Sequence, residues 1–256
     1  MTADENRADN RQRRVILISG ACGGLGSALA RALAQTPVAT PVTLILLDRN
    51  VRAMQKLADE IESASQTQVV LYPLDLGGAA PDDYVQLADT IAAEYGRLDG
   101  LLLAAAQFAG LRAQQQTPPH NWLVELQANL GSSQMLLLNL MPWLLQSADG
   151  RVVLVSNDPQ QVRKAYWGAY GVAQPALAAL ASQWAEELGN TSVRVLHCEP
   201  GPMRTGLRSK VWPSVSPAQW PQPDHAAAAI TAWLQQSQPD AGLHHLAVDA
   251  ETAPEN

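Results

Sequence analysis

Short, continuous apolar runs alternate with helical patterns along almost the whole chain, and this alternation limits the fold more than any other feature. Residues 15–18, 42–47, 69–74, 100–106, 151–156, 192–198 and 243–248 read as strands. Because these runs are unbroken rather than alternately polar, they suit strands buried on both faces. Between them, residues 51–63 carry Met54, Leu57, Ala58 and Ile61 at helical spacing. Further helical patterns cover 82–95, 119–146, 170–188 and 226–236. Strand-helix alternation of this regularity implies right-handed crossovers and a parallel sheet with helices on both faces. The expectation is an α/β protein, one doubly wound parallel sheet of about seven strands over 13–250. Residues 201–223, rich in Pro, Ser and Trp, read as a long substrate loop, with loose ends at 1–12 and 251–256.

With 256 residues, 47% of them hydrophobic, the chain can bury one full core. The 17 Lys+Arg stand against 24 Asp+Glu and no face is a basic stripe, so nucleic acid is not an expected partner. Cys22 and Cys198 lie far apart in expected core elements, which suits buried thiols in a reducing compartment. No stretch approaches the roughly 18 apolar residues a membrane span needs, and the polar start has no apolar signal region, so the expected location is cytoplasmic.

Gly20, Gly24 and Gly26 fall at the first strand-to-helix junction. There glycine allows the backbone to approach a pyrophosphate, which the positive helix end favours. Asp48 closes the second strand, where a carboxylate can accept hydrogen bonds from the adenosine ribose and would repel a 2'-phosphate. Arg49 follows it and could pair with that phosphate. The expectation is NAD(H) over NADP(H).

The run Ser19-Gly20-x-x-x-Gly24-Leu25-Gly26 resembles the TGxxxGxG loop of the short-chain dehydrogenase/reductase family, with Ser for Thr. Asp75-Leu76 resembles that family's adenine-contacting segment, and Pro200-Gly201 with Thr205 its PG motif beside the nicotinamide. The resemblance covers about 13–210 and implies a single-domain Rossmann-like fold, a small carbonyl or alcohol substrate, and a homodimer or homotetramer. Apolar surplus on 119–146 and 170–188 agrees with the assembly.

The family's catalytic Tyr corresponds to Tyr170, its Lys to Gln174, its Ser to Asn157 and its fourth polar residue to Asn129. Its Asn-Asn-Ala-Gly segment corresponds to Leu103-Ala104-Ala105-Ala106, without either amide. A Tyr of pKa ~10 is only ~0.1% ionised at pH 7, and an ammonium normally lowers it. Gln174 is neutral, so oxidation of an alcohol should suffer more than reduction of a carbonyl. Asn157 keeps an N–H donor that could polarise a carbonyl, whereas Ser156 should point to the other strand face. Pro175 could move the helix start past Tyr170. Arg163 and Lys164 are the nearest cations in sequence and lie in the preceding loop.

Trp212 and Trp220 are candidate walls of a substrate pocket. His244 and His245 should point apart, with no carboxylate or thiol at ligand spacing, so no metal is expected. Two readings stay open: a dinucleotide-dependent oxidoreductase biased to reduction, and a silent nucleotide-binding sensor or partner subunit. A purely structural dimer would make the glycines and Asp48 coincidental.

Overall fold

A computed structural model describes residues 13–36, 41–237 and 239–248. The expected loose ends, 1–12 and 251–256, lie outside the described residues.

Seven parallel strands form one sheet: β1 (Arg14–Ser19), β2 (Val42–Asp48), β3 (Gln68–Pro73), β4 (Gly100–Leu103), β5 (Arg151–Val155), β6 (Arg194–Glu199) and β7 (Leu243–Ala247). Their order is β3-β2-β1-β4-β5-β6-β7, so the winding reverses between β1 and β4, where Ser19 sits between Leu47 and Leu103. Open α/β sheets bind ligands at the carboxyl ends of the strands at such a reversal.

Alternate side chains of β1 enter two different cores. Ile16 and Ile18 pack with α1 (Gly24–Gln35), α2 (Val51–Ala64) and α9 (Asp224–Leu234). Val15 and Leu17 pack with α3 (Pro81–Glu94), α5 (Ser132–Leu144) and α7 (Gly168–Glu187). Both sheet faces are thus covered, the condition that made the strands read as continuously apolar. None of the described helices is long and apolar enough to cross a membrane.

Three elements depart from the sequence reading. The helix expected over 119–146 is split into α4 (Pro119–Leu126), a π-helical turn (Gln127–Gly131) and α5. The Asn129 amide donates to the carbonyls of Gln107 and Glu125, both at 2.7 Å, and the widened turn accommodates that reach. The expected loop 201–223 contains a short helix, α8 (Gly206–Val211), whose N-cap Thr205 accepts from the Arg208 N–H at 3.1 Å. A second small helix, α6 (Pro159–Val162), precedes α7. Pro175 lies inside α7 without shifting its start. The bond it forgoes is the one to the Gly171 carbonyl four residues back, so Tyr170 keeps its place in the first turn.

Candidate functional site

The glycine turn is dictated by contact. Gly20 has φ +68°, and a Cβ there would sit 2.5 Å from the Ala105 Cα; one on Gly26 would sit 2.1 Å from the Gly20 carbonyl oxygen. Any side chain would therefore push β1 from the loop after β4 or unseat α1. The first turn of α1 carries no acidic residue and no side-chain cap, which leaves its positive end for an anion.

This turn borders a cleft of about 490 Å³ at the winding reversal. On the β2 side Asp48, Arg49, Asp75 and Leu76 line it; beyond β1 the wall passes through Ala104 to Asn157, Tyr170 and Gln174, and Pro200, Gly201 and Thr205 close it. Gly20, Gly24 and Leu25 also face it. Ser19 is buried in β1, and Gly26 packs under the turn. Asn129 stands behind the wall: its oxygen accepts from the Gln107 N–H at 3.0 Å while its amide grips the Gln107 carbonyl, so it fixes the loop after β4.

Asp48 holds the turn as well as facing the cleft. Its carboxylate accepts the N–H groups of Cys22 at 3.0 Å and Asn50 at 2.9 Å. Arg49 is more than half exposed and leans toward Asp75 at 3.7 Å. Neither cysteine is disulfide-bonded; burial pushes the Cys198 thiol up to about 12, and the half-buried Cys22 is pushed up to about 11 by burial and then by Asp48.

Tyr170 is 4% exposed and packs against Phe108 and Trp167, with ring centroids 5.3 and 5.8 Å away. Burial pushes its hydroxyl up to about 12; the nearby Asn157 amide and the Arg208 charge pull in the opposite direction. Gln174 is buried, and its side-chain oxygen accepts the Asn157 N–H at 2.8 Å. Glu125 of α4 lies beside the first turn of α7, near Gly168, and its buried carboxylate accepts the N–H of Ala109. The Glu125 carboxyl is shifted upward by burial, that N–H opposing.

The sequence reading missed two of these residues. Glu125 is buried beside the first turn of α7, and Arg208, not Arg163 or Lys164, is the cation that faces Tyr170. The Thr205-x-x-Arg208 spacing at a helix start was the available signal, but nothing local tied that loop to α7. Trp212 lines the cleft, joined by Trp167 rather than by Trp220, which is buried behind Arg208.

The histidine pair also needs correction. His244 and His245 do point apart, His244 toward Trp233 and His245 toward His197. Yet the expected lack of a ligand partner does not hold: β6 brings His197 and Glu199 beside His245, with possible ligand atoms all within 4.8 Å. The register pairs His197 with His245 across β6 and β7, a proximity that sequence separation hides. Ser156 lies just past the end of β5 and borders the same cleft as Asn157, with its hydroxyl 2.8 Å from the His197 ring nitrogen. Burial, then the nearby His245, lowers the pKa of His197 to about 4, which keeps the ring neutral.

The short chain dehydrogenase family model matches residues 14–215. An uncharacterized oxidoreductase of Escherichia coli K12, YciK, is 31% identical over 210 residues, 82% of this chain and 81% of that protein. A Pseudomonas syringae structure assigned as a short chain dehydrogenase superposes with a TM-score of 0.84 at 32% identity, covering 93% of this chain and 96% of that one. A Shigella flexneri 2a short chain dehydrogenase structure, complexed with NADP, gives a TM-score of 0.83 at 28% identity, covering 93% and 98%.

Proposed function

The chain belongs to the short-chain dehydrogenase family, and on that premise we propose that it is an NAD(P)(H)-binding oxidoreductase that reduces a carbonyl compound to an alcohol. The observation that carries this reading is Tyr170, a phenol held neutral by burial on the wall of the same cleft that the glycine turn borders. The turn fits a dinucleotide: it is a cradle that any Cβ would fill, at a helix end with no acidic side chain. Gly20, Gly24 and Leu25 would hold the pyrophosphate, Asp48 the ribose, Asp75 and Leu76 the adenine, and Ala104, Pro200, Gly201 and Thr205 the nicotinamide end.

When bound, the reduced nicotinamide supplies a hydride to the carbonyl carbon. Tyr170 then donates its proton to the carbonyl oxygen, the Asn157 amide having polarised that oxygen. The phenolate left behind faces the Arg208 charge and recovers its proton from water. Alcohol oxidation needs the phenolate at the outset, and a group of pKa about 12 supplies little of it near neutrality, which supports a bias to reduction.

For the dinucleotide, relatives point one way and residues the other. The Shigella structure is a complex with NADP. In this chain Asp48 lines the cleft at the end of β2, where its carboxylate would repel a 2'-phosphate, and Arg49 leans toward Asp75. We assign NAD(H) as the preferred form. Leu123, Leu138 and Val172, on α4, α5 and α7, are 61%, 54% and 51% exposed, which supports a homodimer or homotetramer. Sedimentation showing only monomer at micromolar concentration would remove that part. The two free thiols suit the reducing cytoplasm, while the −7 net charge argues against nucleic acid.

The competing reading, a nucleotide-binding sensor or partner subunit without turnover, rests on Gln174, which is neutral and already engaged with Asn157. Titration with NAD, NADH, NADP and NADPH followed by tryptophan emission, then a panel of ketones and aldehydes, separates the two. Turnover supports the reductase; binding without any turnover supports the sensor.

A further inference from the structure

Arg208 is 6% exposed, yet no carboxylate pairs with it among the described residues. Its guanidinium carbon lies 4.4 Å from the Trp212 ring centre and 4.6 Å from that of Trp220, the two rings forming a corner around it. Both contacts are with ring faces, which attract a cation without occupying its N–H groups, and no described protein acceptor takes a side-chain hydrogen bond from them. The residue lines the cleft together with Tyr170 and Trp212.

A desolvated cation without a counter-charge is costly, and desolvation is the main influence on Arg208, lowering its pKa to about 10 while leaving it charged at neutral pH. Two indoles and a helix capped by Thr205, whose Val211 packs into the hydrophobic cluster of Phe108, Trp167 and Tyr170, fix its position. Such a placement suits a partner that arrives from outside, carries negative charge and accepts a fork of N–H donors.

We infer that Arg208 is the anchor for a substrate carboxylate, and that the carbonyl compound this cleft accepts is an oxo acid. The inference rests on the reductase reading for the carbonyl and on Arg208 alone for the acid. The carboxylate takes the open edge of the guanidinium, and the carbonyl carbon elsewhere in the same molecule faces the nicotinamide end of the cleft, with its oxygen toward Tyr170. Trp212 and Trp167 cover the apolar chain between the two groups.

The test uses the full chain with acetoacetate, levulinate and their methyl esters as probes, with and without saturating NADH. Binding is read by calorimetry and by tryptophan emission, and turnover by NADH consumption. Each acid should bind at least tenfold more tightly than its ester. Arg208→Gln should erase that difference while thermal unfolding shows a folded protein, and Arg208→Lys should retain part of it. Esters binding as tightly as acids would overturn the assignment. So would an acid preference that survives Arg208→Gln, or a variant whose only defect is weaker NADH binding, which would give the guanidinium to the cofactor's pyrophosphate. Acid-selective binding without turnover keeps this inference and defeats the reductase reading. Turnover of neutral ketones and esters without acid preference does the reverse.

Discussion

The side-chain oxygen of Gln174 accepts the backbone N–H of Asn157 at 2.8 Å, so the residue at the family's lysine position is tied to the residue at its serine position. Restoring the ammonium with Gln174→Lys therefore has two opposite effects. A cation near Tyr170 should lower the hydroxyl pKa and raise any turnover, while the half-buried Asn157 N–H loses its acceptor at a cost of about 1 kcal/mol. The expected outcome is a pH–rate profile displaced to lower pH together with a lower unfolding temperature. Adding Asn157→Ser should raise turnover further, by about tenfold or more, which corresponds to ~1.4 kcal/mol of transition-state stabilisation. If the profile stays in place in a protein that still binds NADH, Tyr170 is not the proton donor.

The hydroxyl of Tyr170 also gives a pH dependence with a definite sign. Burial raises its pKa from the usual 10 to about 12 in the folded chain. The folded state thus holds this proton more tightly than the unfolded one. Its stabilising contribution is complete below about pH 10 and is lost as pH rises toward about 12. Urea unfolding from pH 9 to 11 should show the wild type losing stability more steeply than Tyr170→Phe. Parallel losses would mean that the hydroxyl is not held as described. For catalysis, reduction should stay insensitive to this group at neutral pH, whereas oxidation should accelerate toward alkaline pH.

Gly20→Ala should remove dinucleotide binding. The new methyl would sit 2.5 Å from the Ala105 Cα at a backbone φ of +68°. Both faults destabilise the turn, by more than about 1 kcal/mol, and the loop after β4 would have to move. Calorimetry with NADH reads the loss. Unaltered binding would take the glycine turn out of the site.

Asp48 is expected to make NADH bind more tightly than NADPH. Asp48→Ser should narrow that gap by relieving repulsion of a 2'-phosphate, and should weaken both ligands because Cys22 and Asn50 lose an acceptor. Arg49→Ala should leave NADH binding unchanged. Tighter NADPH binding in the wild type, abolished by Arg49→Ala, would transfer the assignment to Arg49 and NADP(H).

Features that depend on neighbours in sequence were legible. The buried strands announced themselves as unbroken apolar runs, and the turn at Gly20 needed a residue type that few other contexts demand. The site's second layer was not legible, because its partners meet only through the fold. Glu125 of α4 comes beside the first turn of α7 at Gly168, Arg208 comes to Tyr170 from the segment that follows β6, and His245 meets His197 through strand register. Asn129 was found by resemblance, but its role as a clamp on Gln107, and the π turn that permits it, depend on a loop some 20 residues earlier in sequence. Pro175 misled in the other direction. The expected shift of the helix start does not occur, because the bond Pro175 forgoes ends at Gly171 and leaves the first turn from Gly168 intact.

The most direct test of the account follows deuteride from labelled NADH into an alcohol product, in the wild type and in Tyr170→Phe. The account predicts label in the product of the wild type, and a rate about 10²–10⁴-fold lower in Tyr170→Phe, with NADH binding preserved in both. Tight NADH binding with no label transferred from any oxo acid, ketone or aldehyde would contradict it, as would equal transfer by the two proteins.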